Sequence, residues 1–210
     1  MSSSTSYGTP YVSGTDTLTS WPTTSQSVAN RIDAVSLLGT RPLGTTRLSA
    51  AASTMAVSSI PAGFGTLKIF GAAQHSAGTN IDLVLRFNSD TGANYARAYT
   101  LAYDSTQAAG LNTAQSGIYV GSCGNQSANR MSSFEVTVPN YDKAFHKSVQ
   151  YSSFDPRTLT TGAGANADLF ITGGGLWAST SAITSVSITV LSGNLVIGSF
   201  ITAQLVGESI

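Results

Sequence analysis

Residues 80–101, NIDLVLRFNSDTGANYARAYTL, alternate twice between apolar and polar positions, a spacing that fits strands and not helices. Ile81, Leu83, Leu85 and Phe87 fall on one face, with Asp82, Val84, Arg86 and Asn88 on the other. Tyr95, Arg97, Tyr99 and Leu101 repeat the pattern, against Ala96, Ala98 and Thr100. The stretch between them, Asn88-Ser89-Asp90-Thr91-Gly92-Ala93-Asn94, is turn chemistry: Asn and Asp tolerate left-handed dihedrals and glycine adopts them freely. The expectation is an antiparallel hairpin.

The same alternation recurs downstream. Short runs begin at Met55, Thr66 and Gly117; Phe134, Val136 and Val138 alternate with Glu135 and Thr137. Phe145, Lys147, Val149 and Tyr151 follow on one face, then residues 168–172, 185–190 and 200–206. Residues 41–53, 104–116, 122–129 and 161–167 read as linker or loop, and Gly173-Gly174-Gly175 reads as a break. About eight or nine strands with little helix imply a mainly β chain, an antiparallel β-sandwich of the jelly-roll type. A hydrophobic fraction of 41% suffices for its core, and the charged fraction is only 10%, against about 25% in ordinary globular proteins. Neutral Ser and Thr replace the missing charge, so burial against other subunits is a natural expectation.

The sandwich is expected over residues 47–210. Residues 1–46 read as an extended arm with one short helix. The arm is rich in Ser, Thr and Gly and has too little apolar area to order alone. It reads as a frayed terminus or as a segment that orders on a partner, and its spaced aromatics favour the partner. Ser25 is a plausible N-cap, Val28, Ile32 and Val35 fall at helical spacing, and Gly39 stops the helix. A helix of about three turns is marginal alone, so its apolar stripe packs on the sandwich or on its own copies.

Charge and motifs narrow the function. Ten basic and ten acidic residues leave no footprint for nucleic acid. No secretory signal is apparent, and no apolar run approaches the roughly 20 residues that span a bilayer, so no membrane insertion is expected. Cys123 is the only cysteine, which rules out an internal disulfide and fits synthesis in a reducing cytoplasm. A polysaccharide hydrolase needs two carboxylates across a cleft; Glu135 and Asp142 are the nearest candidates, and the rest are scattered. His75 and His146 stand apart, with His146 expected at the surface. Asn88-Ser89-Asp90-Thr91-Gly92 resembles a calcium loop but lacks the closing Glu of an EF-hand. No catalytic residue, cofactor or metal site is therefore expected. Neutral sugars stack on exposed rings, and Tyr95, Tyr99, Tyr119 and Trp177 are the candidate glycan contacts.

Gly8-Thr9-Pro10-Tyr11-Val12-Ser13-Gly14-Thr15-Asp16, followed by Trp21-Pro22 and Ser25-Gln26-Ser27-Val28-Ala29-Asn30-Arg31-Ile32-Asp33, resembles the N-terminal region of phage tail-fibre and minor tail proteins. The runs from Leu85 to Tyr95 and from Phe134 to Tyr141 resemble β-sandwich domains of phage virion proteins. The resemblance implies a non-enzymatic virion component, assembled in the host cytoplasm, usually as a homotrimer. Its arm would join it to other virion proteins through Tyr7, Tyr11, Trp21, Val28 and Ile32, with host-surface carbohydrate as a further partner. No repetitive shaft is present, so a capsid decoration or head-fibre protein that strengthens the shell is the alternative.

Overall fold

The computed structural model describes residues 3–4, 10–11, 39–76, 81–103, 106–125, 129–157 and 168–208. Among them every regular element is a strand; the short helix expected from Ser25 lies outside them. Two two-residue strands, β1 (Ser3–Ser4) and β2 (Pro10–Tyr11), pair with each other. The sandwich comprises β3 (Thr40–Arg47), β4 (Thr54–Ser58), β5 (Phe64–His75), β6 (Ile81–Phe87), β7 (Tyr95–Tyr103) and β8 (Thr106–Gln115). It continues with β9 (Ile118–Asn125), β10 (Ser132–Pro139), β11 (Lys147–Asp155), β12 (Leu169–Trp177), β13 (Ser185–Val190) and β14 (Phe200–Glu208).

Pairing defines the topology. β3 pairs with β14, β4 with β13, β5 with β10 and β6 with β9, nested like one long hairpin. Pairing of β14 with β5 and of β13 with β6 rolls that hairpin into two sheets, β3-β14-β5-β10 and β4-β13-β6-β9. This is the strand order of an eight-stranded jelly roll. Four strands are additional: the hairpin β7–β8 is inserted between β6 and β9, and β11–β12 between β10 and β13. β11 joins β10 and β7 joins β12, so the first sheet widens to β3-β14-β5-β10-β11-β12-β7-β8. A short parallel pairing of Gln74 and His75 with Gly124 and Asn125 links the two sheets at one corner.

The core lies between the sheets. Leu67, Ile69, Val136, Val149, Ile201 and Leu205 from the wide sheet meet Met55, Leu83, Leu85, Ile118, Val186 and Ile188 from the narrow one. These are the in-phase positions of the alternating runs, and removing them from water supplies the main driving force. At the end of this core Phe87, Tyr95 and Trp177 cluster, with Trp177 5.5 Å from Phe87 and stacked 6.3 Å from Tyr95 between ring centroids.

The expected hairpin is not one. β6 pairs with β13 and β9, whereas β7 pairs with β12 and β8, so the two runs lie in different sheets. Residues 88–94 form a corner that crosses between them, held by their own polar side chains. Asn88 Oδ1 accepts from the amides of Thr184 (2.8 Å) and Ser185 (3.1 Å), and its Nδ2 donates to Ala182 O (2.8 Å). Alternation fixes which face a residue takes and says nothing about which strand lies alongside.

Three other stretches differ from the sequence reading. Residues 40–47, read as linker, are the edge strand β3; Pro42 is tolerated there, and a register shift between Ala203 and Gln204 accommodates Gly44 at φ 134°. Residues 106–115 and 122–125, assigned to loops, are β8 and the second half of β9, whose first half falls in the run expected from Gly117. Gly173-Gly174-Gly175 lies inside β12 and does not break it. A Cβ on Gly173 would lie 2.7 Å from Tyr151 Oη and closer still to Ala98 O; one on Gly175 would lie 2.7 Å from Ile118 Cδ1. These glycines mark close approach of neighbouring groups, not a turn.

Candidate functional site

Widening the first sheet creates a broad outer face, and strand register sorts its side chains into rows. One row runs Phe200, Ala72, Ser133, Phe154, Phe170 across β14, β5, β10, β11 and β12. The next carries Phe70, Glu135, Ser152, Thr172 and Thr100, and the third Lys68, Thr137, Gln150, Gly174 and Ala98. Phe70 is 36% exposed, Phe154 42% and Phe170 46%. Each sits out of phase with the inward residues of its strand, beside Ile69, Ser153 and Ile171. From β14 to β12 the phenylalanine row spans four strand spacings, about 19 Å.

Two depressions lie on this face. One of about 510 Å³ is walled by the phenylalanines; the other, about 840 Å³, runs over Thr137, Gln150, Thr172 and Gly174. They share Glu135 and Ser152 at their boundary. The small residues Gly174, Ala98 and Ala109 form the low floor of the second. Its hydrogen-bonding groups are neutral amides and hydroxyls. The charges that border it are Lys68 and Glu135, 3.9 Å apart and exposed, a pair of at most about 1 kcal/mol. Rings flanked by neutral donors and acceptors suit a polar, uncharged ligand with apolar faces.

Of the aromatics singled out in the sequence, Tyr99 lines the second depression, whereas Tyr95, Tyr119 and Trp177 line neither. Tyr95 is 1% and Trp177 2% exposed, so their faces are packed in the core and are not presented to a glycan. Burial pushes the Tyr95 hydroxyl up to about 12, partly offset by its hydrogen bond with the Phe87 backbone. Tyr99 and Tyr119 are half-buried and enclose Arg97, whose guanidinium carbon is 4.3 and 4.9 Å from their ring centroids. Arg97 also donates to Asn112 Oδ1 (3.0 Å) and to Tyr119 O (2.7 Å), so this stack ties β7, β8 and β9 together. Tyr7, Trp21, Val28 and Ile32 lie outside the described residues, and Tyr11 belongs to β2.

Asp90, in the loop compared with a calcium site, accepts from Trp177 Nε1 (2.7 Å), Asn94 Nδ2 (3.0 Å) and Gly92 N (2.8 Å). The hydrogen bond from Trp177, then that from Asn94, holds its carboxyl below the usual carboxylate range. Among the described residues no group of three or more His, Cys, Asp or Glu is placed to hold a metal ion. Nor is any helix among them long and apolar enough to cross a membrane. Glu135 and Asp142 are not brought together: Glu135 faces Lys68, while Asp142 Oδ2 accepts from Gly63 N (2.8 Å). His146 is exposed. His75 is buried, its Nε2 2.8 Å from Ser192 O.

A second polar cluster escaped the sequence reading. Asp155, 2% exposed, accepts from Ser132 Oγ and from Arg157 Nε, each at 2.8 Å. Arg157 continues to Ser122 Oγ (3.2 Å), and its amide donates to Asp168 Oδ1 (2.8 Å). Burial, then the nearby Asp155, pushes the Cys123 thiol far up and keeps it protonated. The cluster clamps β9, β10 and β11.

No family model matches the chain, and no curated protein does. Among solved structures it is similar to the CBM2 module of the evolved Dit of Lactobacillus casei BL23 phage J-1. That likeness has 5% identity over 82% of this chain and 98% of that one, with a TM-score of 0.21. It is also similar to the VP2 subviral particle of infectious bursal disease virus, at 11% identity over 81% of this chain and 41% of that one, with a TM-score of 0.11. At such scores the jelly roll rests on the strand pairing itself.

Proposed function

We propose that this chain is a non-enzymatic structural protein of a phage virion, tail-associated, whose wide sheet meets neutral carbohydrate of the host surface. The observation that carries the reading is the outer face: a phenylalanine row beside neutral amides and hydroxyls, with the Lys68–Glu135 pair at its border and the Arg47 guanidinium over the Phe200 ring at its end. The sequence resemblance of residues 8–33 to tail-fibre and minor tail proteins supports the virion setting. In this reading Tyr7, Tyr11, Trp21, Val28 and Ile32 seat the arm on other virion proteins, and a homotrimer is the assembled form. Among the described residues that line its groove Glu135 is the single carboxylate, and a glycosidase requires a second carboxyl roughly 5–9.5 Å away.

Particles assembled without the chain test the setting. Loss of adsorption with intact heads supports the tail reading. Normal adsorption with heads that rupture more easily overturns it in favour of shell decoration, where the phenylalanines would pack on protein.

A further inference from the structure

We propose that the edge of β8, unpaired among the described residues, is an interface, pairing antiparallel with β8 of a second copy of this chain. A sheet edge is a row of unpaired backbone donors and acceptors, and proteins blunt such rows with charge, proline, bulges or cover. Of the four edges that the described residues form in this sandwich, three are treated that way. β9 gives its Tyr119 carbonyl to Arg97, and its end pairs with β5. β4 is five residues long, and its Ala56 carbonyl accepts from Thr46 Oγ1 at 2.6 Å. β3 carries Arg41, Pro42 and Arg47 and is bulged against β14.

β8 has none of these guards over most of its length. Its sequence, TQAAGLNTAQ, contains no charge and no proline. Residues 106–112 keep unbroken register with β7; the register slips only beyond Asn112, and Ala114 takes φ 53°. Alternate residues of that run turn their N–H and C=O groups away from β7. Ala108 and Ala109 are exposed and too small to fend off an incoming strand, and Leu111 is 71% exposed beside them.

The occupant follows from charge and symmetry. An uncharged strand meets its own copy with no like-charge contact in any register, and a two-fold axis makes every contact twice. β3 of another copy, with its proline and two arginines, fits this edge poorly. The contact joins two wide sheets edge to edge. It is independent of the proposed glycan face, and a trimer held elsewhere would leave every β8 free to link trimers.

Sedimentation equilibrium of the full chain, with amide exchange at low and high protein concentration, tests the pairing. The expected result is a mass that rises with concentration while alternate amides of residues 106–112 gain protection. Ala108→Lys with Ala109→Lys sets like charges across the axis and should weaken self-association roughly tenfold. Unchanged exchange in residues 106–112 over the whole concentration range overturns the proposal without needing the variant to fold. Concerted protection of β3 and β8 also overturns it, because that pattern marks head-to-tail pairing.

Discussion

Substituting Gly173 and Gly174 separately by alanine asks why the glycines of β12 are there. Were they a break that needs backbone freedom, both substitutions would be costly. The structure predicts opposite signs. A Cβ on Gly173 meets Tyr151 Oη at 2.7 Å and, closer still, the Ala98 carbonyl, a backbone atom that moves only with its strand. Overpacking of this kind costs about 1–3 kcal/mol. A Cβ on Gly174 lies 3.6 Å from Val149 O, an ordinary contact, and removing glycine's freedom from the unfolded chain stabilises by about 0.4–1 kcal/mol. For a domain of this size that is a Tm lower by roughly 2–12 °C for Gly173→Ala and higher by roughly 1–4 °C for Gly174→Ala. Urea unfolding gives both values, with m unchanged. Tyr151→Leu removes both Oη and the ring Cζ, which lies 2.8 Å from that Cβ, and should restore part of the Gly173→Ala loss in a double-mutant cycle. Equal losses at both glycines, or no coupling to Tyr151, would refute the register between β7, β11 and β12.

Three further outcomes are expected. Burial raises the hydroxyls of Tyr95 and Tyr141 to about 12 from 10.0, so the folded chain keeps protons that the unfolded chain releases; stability is full below pH 10 and falls between pH 10 and 12, read as tyrosinate absorbance rising together with unfolding. Asp90 has the opposite sign: its lowered carboxyl stabilises above the ordinary carboxylate range, so in a Trp21→Phe background the fluorescence of Trp177 should change with an acid midpoint below 3.8, and not at all in Asp90→Asn. Asp155→Ala leaves Arg157 and Ser132 without their acceptor and should cost about 3 kcal/mol, the low end for a broken buried pair because Arg157 is partly exposed; a loss under 1 kcal/mol by urea titration would mean that the clamp is slack.

Much of the fold is legible in the sequence because core strands alternate visibly. Leu67 and Ile69, or Phe134, Val136 and Val138, have one face to bury, and period two reports it. The edge strand β8 buries neither face, so TQAAGLNTAQ carries no period and resembles a loop. β3 is held by its place beside β14, which Pro42 and Gly44 conceal. Partner choice is also invisible, which is why β6 and β7 look like one hairpin and belong to two sheets. The site fared worse than the fold. Large amphipathic aromatics drew attention to Tyr95 and Trp177, yet their polar tips are satisfied inside, by the Phe87 backbone and by Asp90. The exposed rings of the wide sheet's outer face are phenylalanines, and the available signal was phase: Phe70, Phe154 and Phe170 occupy the outward positions of their strands.

The most direct measurement is binding of the purified full chain to an array carrying neutral and anionic polysaccharides, beside Phe154→Ala with Phe170→Ala. These rings are about half exposed, so the variant should keep its fold, checked by urea unfolding. The account predicts binding confined to neutral polymers and weaker by at least tenfold in the variant, on the scale of one or two lost stacking contacts. Binding that the variant retains in full, or binding that follows anionic charge, would contradict the assignment of the outer face as the carbohydrate surface.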